Sequence, residues 1–270
     1  MPLELLDAGV LAWLQQPPRR GRPNAGVVVD ADGITIVDTL MVPDQFEPFA
    51  AAVEELGLPI RRIVLTGSGV EQAGGTGRFK LAAVYGSRQT SVHLDQPPDI
   101  ASWQRLFPAE AAGFADVVTR PVSHLVASDV QLTDAAAVLT TGGQMHENVV
   151  VVVPGAHILF AGAMCSFGAA PLCWQGDPAR WADELDRLVE LAAIVVPGHG
   201  PVGCEEQVRE LQAYLRACVA AAGDPARLAA GPWDDWADRE HDIVNVERAA
   251  MLAAGDDGVP PSMLRLAGLA

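Results

Sequence analysis

Between Asn148 and Gly176 the chain carries no Asp, Glu, Lys or Arg. A stretch that long without a charge must either cross a membrane or lie inside a folded core. Pro154, Gly155, His157, Gly168 and Pro171 interrupt it, and none suits a lipid-exposed helix of ~20 residues. The segment therefore reads as two buried strands and a loop. Val149 to Val153 and Ile158 to Phe160 form the strands, on either side of a turn at Pro154–Gly155.

The rest of the chain supplies the cover such strands need. Ala25 to Val29 and Ile34 to Asp38, joined by Asp30-Ala-Asp-Gly33, read as a hairpin. Phe46, Phe49, Ala50, Val53 and Leu56 share one face of a helix closed by Gly57. Arg62 to Thr66 and Leu81 to Tyr85 read as further strands. Later, Asp177-Pro178 predicts an N-cap and first turn for a helix carrying Trp181, Leu185, Leu188 and Val189. Ala193 to Val196 is a strand, and Val208, Leu211, Leu215 and Val219 mark a second helix. Two halves of this kind imply layered α/β architecture, with sheets covered by helices. We expect one domain over residues 1–222 and a tail over 223–270. The tail's Trp233, Trp236, Ile243 and Met251 would dock helical segments on the domain or on a second copy, giving a homodimer.

Composition narrows the partners. The chain has 270 residues and a formal charge of −16, with half its residues apolar. This is a globular composition, and roughly 70–75% of the unfolded surface can be buried at this length. The negative charge opposes encounter with nucleic acid or an anionic membrane, so neither is an expected partner. Cys165, Cys173, Cys204 and Cys218 form no CxxC pair. That usage suits buried thiols in a reducing cytoplasm, and Glu4 and Asp7 stand where a secretory signal would carry positive charge.

Several segments, taken in order, resemble the metallo-β-lactamase superfamily. They are Ile36-Val-Asp38-Thr39, the loop Val64-Leu-Thr66-Gly-Ser-Gly-Val-Glu-Gln-Ala-Gly74-Gly75, then Leu159-Phe-Ala-Gly162-Ala163 and Val196-Pro-Gly-His199-Gly-Pro201. The match covers roughly residues 25–220. In that family the loop reads Thr-His-x-His-x-Asp-His-x-Gly-Gly, the later strand ends Phe-x-Gly-Asp, and the last motif is Pro-Gly-His-Gly. The resemblance implies a four-layer αββα sandwich with the site at one edge of the two sheets.

The chemistry departs from the family. Its two leading histidines fall on Gly67 and Gly69, its aspartate on Glu71 and its next histidine on Gln72. The histidine expected before Val149 falls on Gln144, and the metal-bridging aspartate on Ala163. Only His199 is unchanged. Zinc needs about three protein ligands in a catalytic site, and Glu71 with His199 fall short. His146, Glu147, Cys165 and Asp177 lie near in sequence, but their spacing does not complete a set. We therefore expect no metal and no other cofactor. Without a metal, the hydroxide supplied near neutral pH and the Lewis acid are both gone.

What remains is a metal-free cleft, whose lining we expect to include Gly67, Ser68, Gly69, Gln72, Gln144, His146 and Ala163. It, or the tail, would serve a small-molecule ligand or a protein partner; alternatively the cleft is that of a metal-independent hydrolase or other acid–base enzyme using His199 and Glu71. His199, in its rigid Pro-Gly-His-Gly-Pro turn, either hydrogen-bonds a neighbour or acts as a base or ligand contact. Glu71 either pairs with it or caps the helix that follows. Asp38 is expected to hydrogen-bond loop amides, and Gly67 and Gly69 to leave the old metal position wider. Ser68 shows no acid–base partner by spacing. His93, His124, His157 and His241 have no motif around them. A dinucleotide loop at Gly67-Ser-Gly69 lacks both its third glycine and its downstream acid.

Overall fold

A computed structural model describes residues 3–269. The first sheet opens as an antiparallel meander of β1 (Glu4–Asp7), β2 (Val10–Trp13), β3 (Ala25–Asp30) and β4 (Gly33–Val37). Helix α1 (Pro43–Glu54) buries Phe46, Phe49, Ala50 and Val53 and returns the chain to β5 (Ile60–Val64), parallel to β4. After the short α2 (Val70–Ala73) come β6 (Ala83–Gly86), α3 (Arg88–Leu94), α4 (Ile100–Leu106) and β7 (His124–Leu125), which complete seven strands. The second sheet has β8 (Val130–Gln131), β9 (Ala137–Thr141), β10 (Asn148–Val153) and β11 (Ile158–Ser166) antiparallel. Through α5 (Pro178–Val189) it gains β12 (Ile194–His199), parallel to β11. Helices α6 (Glu205–Ala220), α7 (Asp242–Ala253) and α8 (Pro261–Leu266) follow.

Strand alternation builds the four layers. Along β10, Val149, Val151 and Val153 pack between the sheets with Val28, Val37, Val64 and Phe160. Val150 and Val152 point the other way, into Trp181 and Leu185 of α5 and Leu211 and Leu215 of α6. In β4, Ile34 and Ile36 face Phe46, Phe49 and Val53 of α1. The central strands β4 and β10 are thus buried on both faces, at about 1.5–3 kcal/mol per buried apolar side chain. The charge-free segment is β10, the turn and β11, and no helix among the described residues is long and apolar enough to cross a membrane.

Local signals place the helices. Asp177 caps α5, accepting from the N–H groups of Ala179 (2.9 Å) and Arg180 (3.2 Å), with Pro178 in the first turn. Gly57, with φ +71°, closes the turn after α1. The strand expected from Leu81 starts instead at Ala83. The Ala82 N–H is taken by the Phe79 carbonyl in a turn, which leaves Leu81 97% exposed.

The segment beyond 222 lies against the sandwich. Val246 of α7 and Trp233 join the core around α5 and α6, and the Trp233 ring meets Tyr214 edge-on at 5.9 Å.

Candidate functional site

The site forms where strand ends of both sheets meet. The β5–α2 loop reaches it first. Asp38, just past β4 in a left-handed turn (φ 58°), accepts from the Thr66 N–H at 2.8 Å and the Thr66 hydroxyl at 2.6 Å. The same hydroxyl oxygen accepts the Ala163 N–H at 3.0 Å, so one threonine joins the loop of one sheet to β11 of the other. The approach is close. A Cβ on Gly162 (φ 48°) would lie 2.2 Å from the Thr66 hydroxyl, so only glycine fits. Burial raises Asp38 to about 7, against the two Thr66 hydrogen bonds that pull it down.

His199 ends β12, and a buried asparagine fixes its turn. Asn24 Nδ2 donates to the carbonyls of Pro197 (3.0 Å) and Gly200 (2.8 Å), and its backbone N–H donates to Gly198 (2.7 Å). Gly200 sits at φ 98°, against the Phe167 carbonyl. So held, His199 Nε2 donates to Glu71 Oε1 at 2.9 Å, with 17% and 15% of the two side chains exposed. Glu71 does not cap α2. Its Oε1 also accepts the Gly21 N–H at 2.7 Å. Burial alone would raise Glu71, but His199, Arg20 and the Gly21 N–H overcome it and hold the carboxyl down to about 2. Burial likewise opposes a charge on His199, yet facing Glu71 raises its pKa above the usual 6.5.

A cleft of about 270 Å³ opens over this pair. Ser68, Gly69, Gln72, Gln144 and Ala163 line it with Glu71 and His199, while Trp103, Phe107, Leu172 and Trp174 give it an apolar side. Arg20 stacks over Phe107 at 4.5 Å. Two expected lining residues lie elsewhere. His146 is exposed and borders a separate hollow with Arg88 and Glu147. The Asn148 side chain accepts the Met145 N–H (2.9 Å), and the turn it makes points Gln144 and Met145 inward and His146 out. Gly67 is buried beneath the cleft, with Ala163 Cβ 3.2 Å and Asn148 Nδ2 3.4 Å from where its own Cβ would be. The space beside Gly69 is not wider either, because Gln72 Oε1 lies 2.7 Å from where a Cβ would stand.

These residues do not fit a metal ion. Glycine, alanine and the amides of Gln72 and Gln144 stand where donors would be needed, and Gln144 Oε1 already accepts from Asn148 at 3.1 Å. Glu71 and His199 are bonded to each other. Glu147 is engaged with Gln89, Asp177 caps α5, and burial pushes the Cys165 thiol pKa up. Among the described residues no three His, Cys, Asp or Glu side chains gather as a metal group.

Three groups carried no sequence signal, two lining the cleft and one buried behind the His199 turn. His93 Nδ1 lies 2.6 Å from Ser68 Oγ. His241 is buried with Nδ1 2.8 Å from the Ala170 carbonyl, which can only accept, so the neutral ring keeps Nε2 as an acceptor. Burial lowers its pKa. Asn24 is the third. None sits in a motif, and only the fold brings them to the site. His124 instead stacks on Tyr85 at 4.7 Å, and His157 occupies a left-handed turn.

Two sheets sandwiched between helices, with Pro-Gly-His-Gly at one edge of both, define a metallo-hydrolase type of fold. The chain belongs to the metallo-β-lactamase superfamily, whose family model matches residues 18–259. Its fold is similar to that of DIM-1 metallo-β-lactamase exposed to ceftazidime (TM-score 0.62, 18% identity, 79% of this chain and 95% of that one). It is also similar to the mono-zinc form of FIM-1 from Pseudomonas aeruginosa (0.60, 17%, 80% and 96%) and to a metallo-β-lactamase from Pontibacter korlensis (0.61, 19%, 79% and 98%). No curated protein gives a sequence match.

Proposed function

We propose that this chain is a metal-free member of its superfamily that binds a small, neutral organic molecule in the cleft. One observation carries the reading: the carboxylate and imidazole that would otherwise face a metal bond each other directly, at 2.9 Å. The cleft charges also offset one another, with Arg20 and His199 against Glu71 and Asp238. A volume of about 270 Å³ falls below the roughly 300–1,000 Å³ of sites for drug-sized ligands, which keeps the occupant small. A second reading is favoured by the raised pKa of His199. Glu71 favours the charged imidazole against its burial, so the pair supports proton exchange with a bound molecule as well as recognition.

Two measurements test the reading. Elemental analysis of the untagged protein, after dialysis against zinc, manganese and iron and then metal-free buffer, should find a stoichiometry near zero. A tightly held ion per chain would overturn the metal-free state. Saturation-transfer NMR with benzamide should show binding that Ala163→Leu abolishes by filling the cleft. Absence of binding, or binding that Ala163→Leu leaves intact, would sink the cleft as the ligand site.

A further inference from the structure

Ser68 lies at the cleft edge, half-buried, beside exposed Gly69. Its hydroxyl is 2.6 Å from His93 Nδ1 and 3.5 Å from Met145 Sδ. Thioether sulfur is a weak acceptor, so with the ring proton on Nε2 the hydroxyl donates to His93 Nδ1 rather than to Met145. The contact is built. His93 rides on α3, whose N-cap Ser87 donates to the Glu147 carbonyl at 3.1 Å. Gln89 and Glu147 then exchange two hydrogen bonds, at 3.1 and 3.0 Å, which tie α3 to the loop carrying Gln144 and Met145. Burial lowers the pKa of His93, so its ring is neutral at neutral pH and keeps one nitrogen free to accept a proton.

We propose that Ser68 is a nucleophile with His93 as its base, and that the cleft hydrolyses small neutral carboxylic esters through an acyl-Ser68 intermediate. This deepens the reading of the cleft as a small-molecule site and rests on it. Ser68 Oγ attacks the ester carbonyl carbon while His93 Nδ1 takes the hydroxyl proton. The tetrahedral adduct collapses, the C–O bond to the leaving alcohol breaks, and the alcohol departs with the proton from His93. Water then attacks the acyl carbon and gives a proton to Nδ1. The acid leaves, and Ser68 Oγ recovers its hydrogen from His93. No oxidant, metal or further reactant is consumed.

The test treats the full chain with phenylmethylsulfonyl fluoride and, separately, p-nitrophenyl acetate. Intact mass should rise by one phenylmethylsulfonyl group, mapped to Ser68, as Oγ–S forms and fluoride leaves. p-Nitrophenol release should accompany acylation at the same residue. Ser68→Ala should abolish both, and His93→Gln should slow labelling by ~100-fold or more. In the unmutated chain the labelling rate should rise with pH through a midpoint below 6.5, a readout that needs no variant. Labelling elsewhere, no labelling, or His93→Gln labelling at the native rate would each overturn the dyad. If benzamide still binds in those cases, the nucleophile falls and the cleft reading stands. If benzamide fails too, both fall.

Discussion

The imidazole of His199 donates to the carboxylate of Glu71 across 2.9 Å, although 128 residues separate them. Their titrations are therefore linked. Glu71, held down to about 2 from 4.5, stabilises the fold above pH 4.5 and loses that contribution as pH falls through about 2. His199, raised from 6.5, contributes fully below 6.5 and loses its share as pH rises through its folded value. The pair is strongest between pH 4.5 and 6.5. Breaking a fully buried pair costs about 3–5 kcal/mol, and partial exposure reduces this. Glu71→Gln should destabilise by about 2 kcal/mol at pH 5.5 and by less at pH 9. With the carboxylate gone, burial should carry His199 back below 6.5, read from its ring-proton shifts by NMR. An unchanged His199 titration would show that another group holds its proton.

Asp38 runs the other way. Its folded value of about 7 lies above the ordinary 3.8, so the native state binds the proton more tightly and stability falls as pH rises between the two. The substitution Asp38→Asn keeps an acceptor for the Thr66 N–H, tolerates the left-handed turn and removes the ionisable group. We expect near-native stability at pH 5 and a gain of about 1–2 kcal/mol at pH 8.5 in urea unfolding. A loss at pH 8.5 would show that the ionised carboxylate is the form the fold prefers.

The turn that presents His199 depends on Asn24. Asn24→Ala leaves two buried carbonyls and the Gln15 N–H without their partner, at a cost of about 2–3 kcal/mol. Asn24→Asp keeps the shape but sets carboxylate oxygen against both carbonyls, and should be at least as damaging. Urea midpoints order the three proteins. If Asn24→Asp matches the native chain, hydrogen bonding to Pro197 and Gly200 is not what fixes the turn.

The layers were legible because β-strand alternation and helical spacing are local. The valines of β10 and the Phe46–Val53 face of α1 need no tertiary information to read. The substitutions at Gly67, Gly69, Gln72 and Ala163 could be read from the sequence too, because they fall within ordered motifs. What those small residues leave behind could not. Gln72 turns back over Gly69, and Ala163 packs against Gly67, so an expected enlargement is partly filled. The Ser68–His93 contact was hidden for a related reason. It joins a loop to α3 across 25 residues, and α3 takes its place from Ser87, Gln89 and Glu147, none of which signals chemistry.

The C-terminal segment should govern the cleft from behind. Residues 170–175 form one cleft wall, and α7 grips that loop. Asn245 accepts the Cys173 N–H and donates to the Pro171 carbonyl, both at 2.8 Å. The buried Arg248 guanidinium donates to the Gly176 carbonyl at 2.8 Å and to Gly258 and Asp257 beyond it. Arg248→Met removes the guanidinium, which orphans the Gly176 carbonyl and unties the loop, at a cost of about 2–3 kcal/mol. Asp257 stays in water, so no buried charge is stranded. Amide hydrogen exchange should accelerate across 170–176 while β10 keeps its protection, and benzamide binding should weaken in step. Exchange rising equally in β10 would mean that Arg248 supports the whole sandwich. No change at 170–176 would mean that the loop holds its shape without α7.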